Sequence, residues 1–194
     1  KLGNNLFAGL PLVEMEIPDS VIEIGSSLFQ GCTKLEKVVV GKRVPGLSFA
    51  MFRDCEVLAD VTLREGYLDY VGECSFDGCK RLREIALPST VTKVYDYAFR
   101  GCASLSDLKL NEGLKEIGSD ALAKCSSLVS LKLPSTVEKL GGSLFAGLPL
   151  VEMEIPDSVT EIGNSLFRGC TKLEKAVVGK RVPGLAFSMF CDCE

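Results

Sequence analysis

The chain has 194 residues, a formal net charge of −4 and 46% hydrophobic side chains. That composition supports a core and argues against disorder, and the acidic balance leaves no basic footprint for nucleic acid or anionic lipid. There is no His, which removes Ser-His-Asp and Cys-His nucleophile systems and every metal site that needs imidazole.

In chain order, the opening KLGNNLFAGLPL does not read as a signal peptide. It reads as the middle of a repeat. An aromatic marker returns at Phe7, Phe29, Phe52, Phe76, Phe99, Phe145, Phe167 and Phe190, with Leu122 filling the one gap. The steps are 22, 23, 24, 23, 23, 23, 22 and 23 residues. Each unit opens with LxxLxL, as in LREIAL (82–87), LSDLKL (105–110) and LVSLKL (128–133). Its last four positions alternate, which suits a strand with one buried face. A PDS, PST or NEG turn follows. Next comes VxxIG, as at Val21–Gly25 and Val159–Gly163, a second and shorter extended piece. The unit closes with xxAFxGC, which is too short for more than a helical turn. One such unit cannot bury its apolar face, whereas stacked units can. No apolar run approaches the ~18 residues of a membrane-spanning helix.

A longer period overlies the short one. Residues 1–56 and 139–194 are identical at 47 of 56 positions, at an offset of 138, six times 23. The chain is therefore expected to be a single array, residues 1–194, of about eight 23-residue repeats, truncated mid-repeat at both ends. On this reading the parent sequence continues past Glu194, and flanking repeats or a neighbouring subunit cover the ends.

The pattern LxxLxLPxSVxxIGxxAFxGC resembles the BspA-like leucine-rich repeats, a subtype with 23-residue units. Its best copies run from Leu12 to Cys32, Leu82 to Cys102 and Leu150 to Cys170. The resemblance implies a β-rich α/β fold: a right-handed leucine-rich-repeat solenoid forming a curved arc. A parallel sheet would form one face, with short extended segments and helical turns on the other. It also implies a surface or secreted recognition module without catalytic residues or cofactors. GKRVPGLSFAMF (41–52), its copy at 179–190 and the insertion within REGYLDYVG (64–72) depart from the pattern, and local irregularity is expected there.

Of the nine cysteines, Cys32, Cys55, Cys79, Cys102, Cys125, Cys170 and Cys193 lie three residues after the marker. Leu10 and Leu148 share that column, so the slot is apolar and a buried thiol ladder is expected. Disulfides have no natural pairing in such a row, and a straight row does not converge on zinc. Cys74 and Cys191 fall in small or polar columns and are expected to be exposed.

A partner surface has two candidate locations. The outward strand columns, read as a concave face, carry Glu14, Lys37, Asp60, Glu84, Asp107, Lys109, Lys132 and Glu152, mixed charges without an aromatic anchor. The aromatics Phe49, Tyr67, Tyr70, Tyr95 and Tyr97 form a candidate patch suited to protein or glycan. Alternation of Lys93, Glu116, Lys139 and Glu161 is read as cross-coil pairing. No P-loop or paired catalytic carboxylates are visible, and a thin solenoid is expected to offer no obvious pocket. The functional reading is a non-enzymatic protein-recognition or adhesion scaffold, at the cell surface or secreted. The alternatives are a spacer within a larger, intracellular assembly and, below it, a carbohydrate-binding surface.

Overall fold

The computed structural model describes residues 1–182, 184 and 187–193. It is a parallel-strand β-solenoid of about seven turns, and three ladders run along it. The first contains the alternating LxxLxL segments: β1 (Glu14–Ile17), β2 (Lys37–Val40), β4 (Asp60–Leu63), β6 (Glu84–Ala86), β8 (Asp107–Lys109), β11 (Glu152–Ile155) and β13 (Lys175–Val178). The second contains the two-residue strands β3 (Gly46–Leu47), β5 (Tyr70–Val71), β7 (Lys93–Val94), β9 (Glu116–Ile117), β10 (Lys139–Leu140) and β12 (Glu161–Ile162). These short strands form one unbroken six-stranded parallel sheet in the order β12-β10-β9-β7-β5-β3. The irregularity expected at 41–52 does not disrupt it, since Gly46 pairs with Tyr70 and Leu47 with Val71. In the copy at 179–190, Pro183, Leu185 and Ala186 lie outside the described residues.

The third ladder corrects an expectation. Among the described residues no helical turn forms at xxAFxGC. The residue two before the marker has a left-handed backbone in every unit, from Asn5 (φ 54°) through Tyr97 (φ 58°) to Ser188 (φ 53°). The residue two after it is left-handed as well, for example Gly31 (φ 69°), Asp54 (φ 59°) and Lys124 (φ 65°). Two such residues four apart cannot belong to a right-handed helix. They turn the amide groups along the solenoid axis instead. Phe29 N–H donates to Met51 O at 2.8 Å, Gly31 N–H to Arg53 O at 2.8 Å, and Phe52 N–H to Ser75 O at 2.8 Å. The turns are thus hydrogen-bonded coil to coil like the strands, which satisfies backbone groups that packing would otherwise strand.

The core lies between the ladders. Phe29, Phe52, Phe76, Phe99, Phe145 and Phe167 are fully buried. Their rings stack on neighbouring coils with centroids 5.2–5.4 Å apart from Phe7 to Phe99, and again from Phe145 to Phe190. Leu122 interrupts the stack.

The first ladder is also interrupted, which differs from the sequence reading of LVSLKL as a strand. It divides into β1-β2-β4, β6-β8 and β11-β13. Residues 129–133 belong to no strand. Leu128 and Leu133 anchor the segment in the core. Between them Leu131 is only partly buried, as its equivalents Met15 and Val61 are, whereas the nearer Leu108 and Met153 are buried.

Candidate functional site

The strand face carries the charged columns. Glu14, Lys37, Asp60, Glu84, Asp107, Lys109, Lys132 and Glu152 are all exposed. Register places Glu14 beside Lys37, Lys37 beside Asp60 and Glu152 beside Lys175. Lys37 pairs with Asp60 at 3.5 Å, and Arg64 bridges Glu16 at 2.8 Å and Asp19 at 3.2 Å. Not every neighbour is complementary. Glu84 faces Asp107 directly, a like-charge contact that Lys109 relieves through Asp107 at 3.3 Å.

This face is not featureless, contrary to the expectation that a solenoid offers no obvious pocket. An open cleft of about 640 Å³ lies over residues 130–133 and is walled by Met153, Glu152, Glu154, Lys175 and Val177. A second groove, of about 510 Å³, runs along the short-strand sheet. Gly118, Gly141 and Gly163 form its floor, with Tyr95 at one end. These glycines are required by packing: a Cβ at Gly141 would run into the backbone of Gly118 and Ser119 on the preceding coil. Along its rim Lys93 pairs with Glu116 at 2.6 Å and Lys139 with Glu161 at 3.0 Å. Lys93 holds the Glu116 carboxyl below its usual range by hydrogen bonding and charge.

The five candidate aromatics do not form one patch. Tyr70 and Tyr95 meet edge to face at 5.8 Å, and Lys93 Nζ sits 4.6 Å over the Tyr95 ring. Tyr70 also covers Gly46, where a Cβ would collide with the ring. Tyr97 belongs to a different cluster: the Arg100 guanidinium lies 4.5 Å over its ring and grips Asp77 through bonds of 3.0 and 2.6 Å. Arg53 approaches the same carboxylate at 3.7 Å. Phe49 and Tyr67 are exposed, at 46% and 71%, with no ring partner among the described residues. The Arg53–Asp77–Arg100 line was not foreseen. All three residues follow the marker directly, in a column whose signal is a change of charge sign from coil to coil.

The thiols are placed as follows. Cys32, Cys55, Cys79, Cys102, Cys125 and Cys170 are buried, and Cys193 is half-buried. Each donates its S–H to the carbonyl of the marker Phe on the preceding coil, as in Cys55 to Phe29 and Cys102 to Phe76, both at 3.1 Å. The column therefore takes an apolar side chain, and where Cys fills it the thiol also serves as a weak donor. Burial pushes Cys55 and Cys125 up to about 12 and Cys170 to about 11. Cys191 is exposed. Cys74 is buried, which corrects the expectation of an exposed thiol. It has φ 55°, and its small polar column marks a tight left-handed turn, not contact with water.

A family described as the BspA type leucine-rich repeat region matches six copies, over residues 1–121 and 51–174. The chain belongs to this family. No curated protein sequence matches it significantly. Among solved structures, a leucine-rich repeat protein from Bacteroides ovatus is 27% identical with a TM-score of 0.69, covering 99% of this chain and 56% of that one. The leucine-rich repeat protein of T. pallidum is 30% identical with a TM-score of 0.57, over 69% of this chain and 59% of that one. The pneumococcal vaccine antigen PcpA shares the fold at 20% identity and a TM-score of 0.55, over 98% of this chain and 57% of that one. The chain thus spans a little over half the length of these relatives.

Within this BspA-type array, no group of His, Cys, Asp or Glu is arranged to hold a metal ion among the described residues. No helix among them is long and apolar enough to cross a membrane.

Proposed function

We propose that the array is a non-enzymatic recognition or adhesion scaffold that holds a protein partner on its surface, displayed at the cell surface or secreted. One observation carries this reading: Tyr67 and Phe49 expose large rings that stack on no other ring among the described residues. Most other large apolar side chains serve the core, and Phe187, the copy of Phe49, is exposed as Phe49 is. An exposed aromatic is a costly surface choice and a common anchor of interfaces.

The paired substitution Phe49→Ser and Tyr67→Ser tests it. Pull-down from the source organism's surface fraction and from the medium it grows in should lose its captured protein, with the melting temperature unchanged. Capture that survives the double substitution places the partner elsewhere. Binding on a glycan array that the double substitution abolishes would instead assign the same rings to carbohydrate. The 47 identical positions of 56 between the two blocks favour a spacer as the second reading, because a spacer has no need to diversify. Absence of any capture by the wild-type chain supports that reading.

A further inference from the structure

The opened coil at residues 129–133 is distinguished by its backbone. Along the paired parts of the strand face, the residue before each strand accepts two amides from the next coil. Val13 O takes Glu36 and Lys37 at 2.8 and 3.3 Å, and Val151 O takes Glu174 and Lys175 at 2.8 and 3.2 Å. The equivalent bonds from Val129 and Ser130 to Ser106 O, and from Val151 and Glu152 to Val129 O, are absent. Residues 129–133 neither donate nor accept any backbone hydrogen bond among the described residues. Five consecutive residues therefore present free amide and carbonyl groups, an edge of the kind that proteins normally cover.

Two further observations fall on the same segment. Val129 and Val151 are exposed at 58% and 46%, and the 640 Å³ cleft between the coils has Leu131, Leu133 and Met153 in its lining. Of the charged groups on that lining, Glu112 accepts hydrogen bonds from Ser135, while Lys132, Glu152, Glu154 and Lys175 form no ion pair among the described residues. Elsewhere on the face the equivalent Lys37 and Asp60 are paired.

We propose that residues 129–133 accept an extended peptide segment of a protein partner, which adds its own backbone to this free edge. The segment carries apolar side chains at alternate positions, for Val129, Val151 and Met153, and charges of both signs between them, for Lys132, Lys175, Glu152 and Glu154. Strand addition supplies affinity through main-chain bonds and specificity through alternate side chains. An extended backbone is the occupant because the free groups are backbone groups in consecutive residues; a sugar or a helix would leave them unmatched. The proposal rests on the recognition reading above and assigns it a second, separate surface.

The probe is a synthetic peptide reproducing residues 103–112, ASLSDLKLNE, which has the required alternation. Without peptide, the amides of residues 129–133 should exchange with solvent much faster than those of β8. At millimolar peptide their exchange should slow by about tenfold. The same peptide N-methylated at the positions of Leu108 and Leu110 should have no effect. Lys132→Pro removes an amide that has no partner in the fold, so it should melt like the wild type and ignore the peptide. Ser130→Pro serves if that variant does not fold. Slow exchange without peptide, no slowing with it, or equal slowing by the N-methylated control would overturn the proposal. A chain that captures its partner through Phe49 and Tyr67 yet ignores the peptide keeps the recognition reading and loses this one.

Discussion

A cysteine in the ladder column is held by three conditions at once. It fits the gap beside the Phe stack, is apolar enough for full burial, and donates weakly to a carbonyl one coil back. Cys102 satisfies all three, with no exposure and a bond to Phe76 O. Cys102→Ala should lower stability by about 1–2 kcal/mol, through a small void and a lost donor, read as a lower denaturant midpoint at unchanged slope. The sequence showed the apolar character of this column through its exchange with Leu, but not the donor, because the acceptor lies 26 residues earlier on another coil. Cys74 was misread for a related reason. A column of Ser, Asn, Ala, Asp and Tyr looks exposed, yet what its members share is a left-handed backbone, which periodicity does not reveal.

The coil around Leu122 is the weak element. It lacks the ring that every other unit contributes to the stack, and the strand-face segment that follows it is unpaired. Leu122 is buried between two coils that each carry a Phe. Leu122→Phe should complete the stack and raise stability by about 0.5–1.5 kcal/mol, seen as a higher midpoint. A loss would mean that neighbouring side chains already fill the site and the ring overpacks it. The Leu in a Phe column was plain in the sequence. The opened segment was not, since LVSLKL has the same alternation as the paired LSDLKL, and the difference lies in backbone contacts between coils.

At the scale of the whole molecule, the thiols couple stability to pH. An unfolded chain releases its thiol protons near pH ~8.5, whereas the folded chain holds Cys55 and Cys125 protonated to about 12 and Cys170 to about 11. In that window the unfolded state binds fewer protons, so stability must fall as pH rises. It is full below about pH 8.5 and declines by about 1.4 kcal/mol per pH unit for each such thiol. Denaturation midpoints measured from pH 7 to 11 should show this decline, and a flat profile would mean that the ladder is open to solvent. Under native conditions at pH 7.5 a maleimide should label Cys191 first, and Cys74 only on unfolding. The period, the core columns and the Lys93–Glu116 and Lys139–Glu161 pairs were all legible in the sequence. The 640 Å³ cleft was not, because it arises where regular units fail to pair.

Because the backbone bonds between coils join residues 21 to 25 apart, the array responds to tension as a stack of nearly equal links. Pulled by its ends, each released coil of about 23 residues yields roughly 80 Å of contour. Extension should therefore proceed in even steps that begin at the termini. The strand face is also unpaired between β4 and β6, but there the rings stay stacked; the Leu122 coil lacks both, and is the interior fracture plane where the stack would part first.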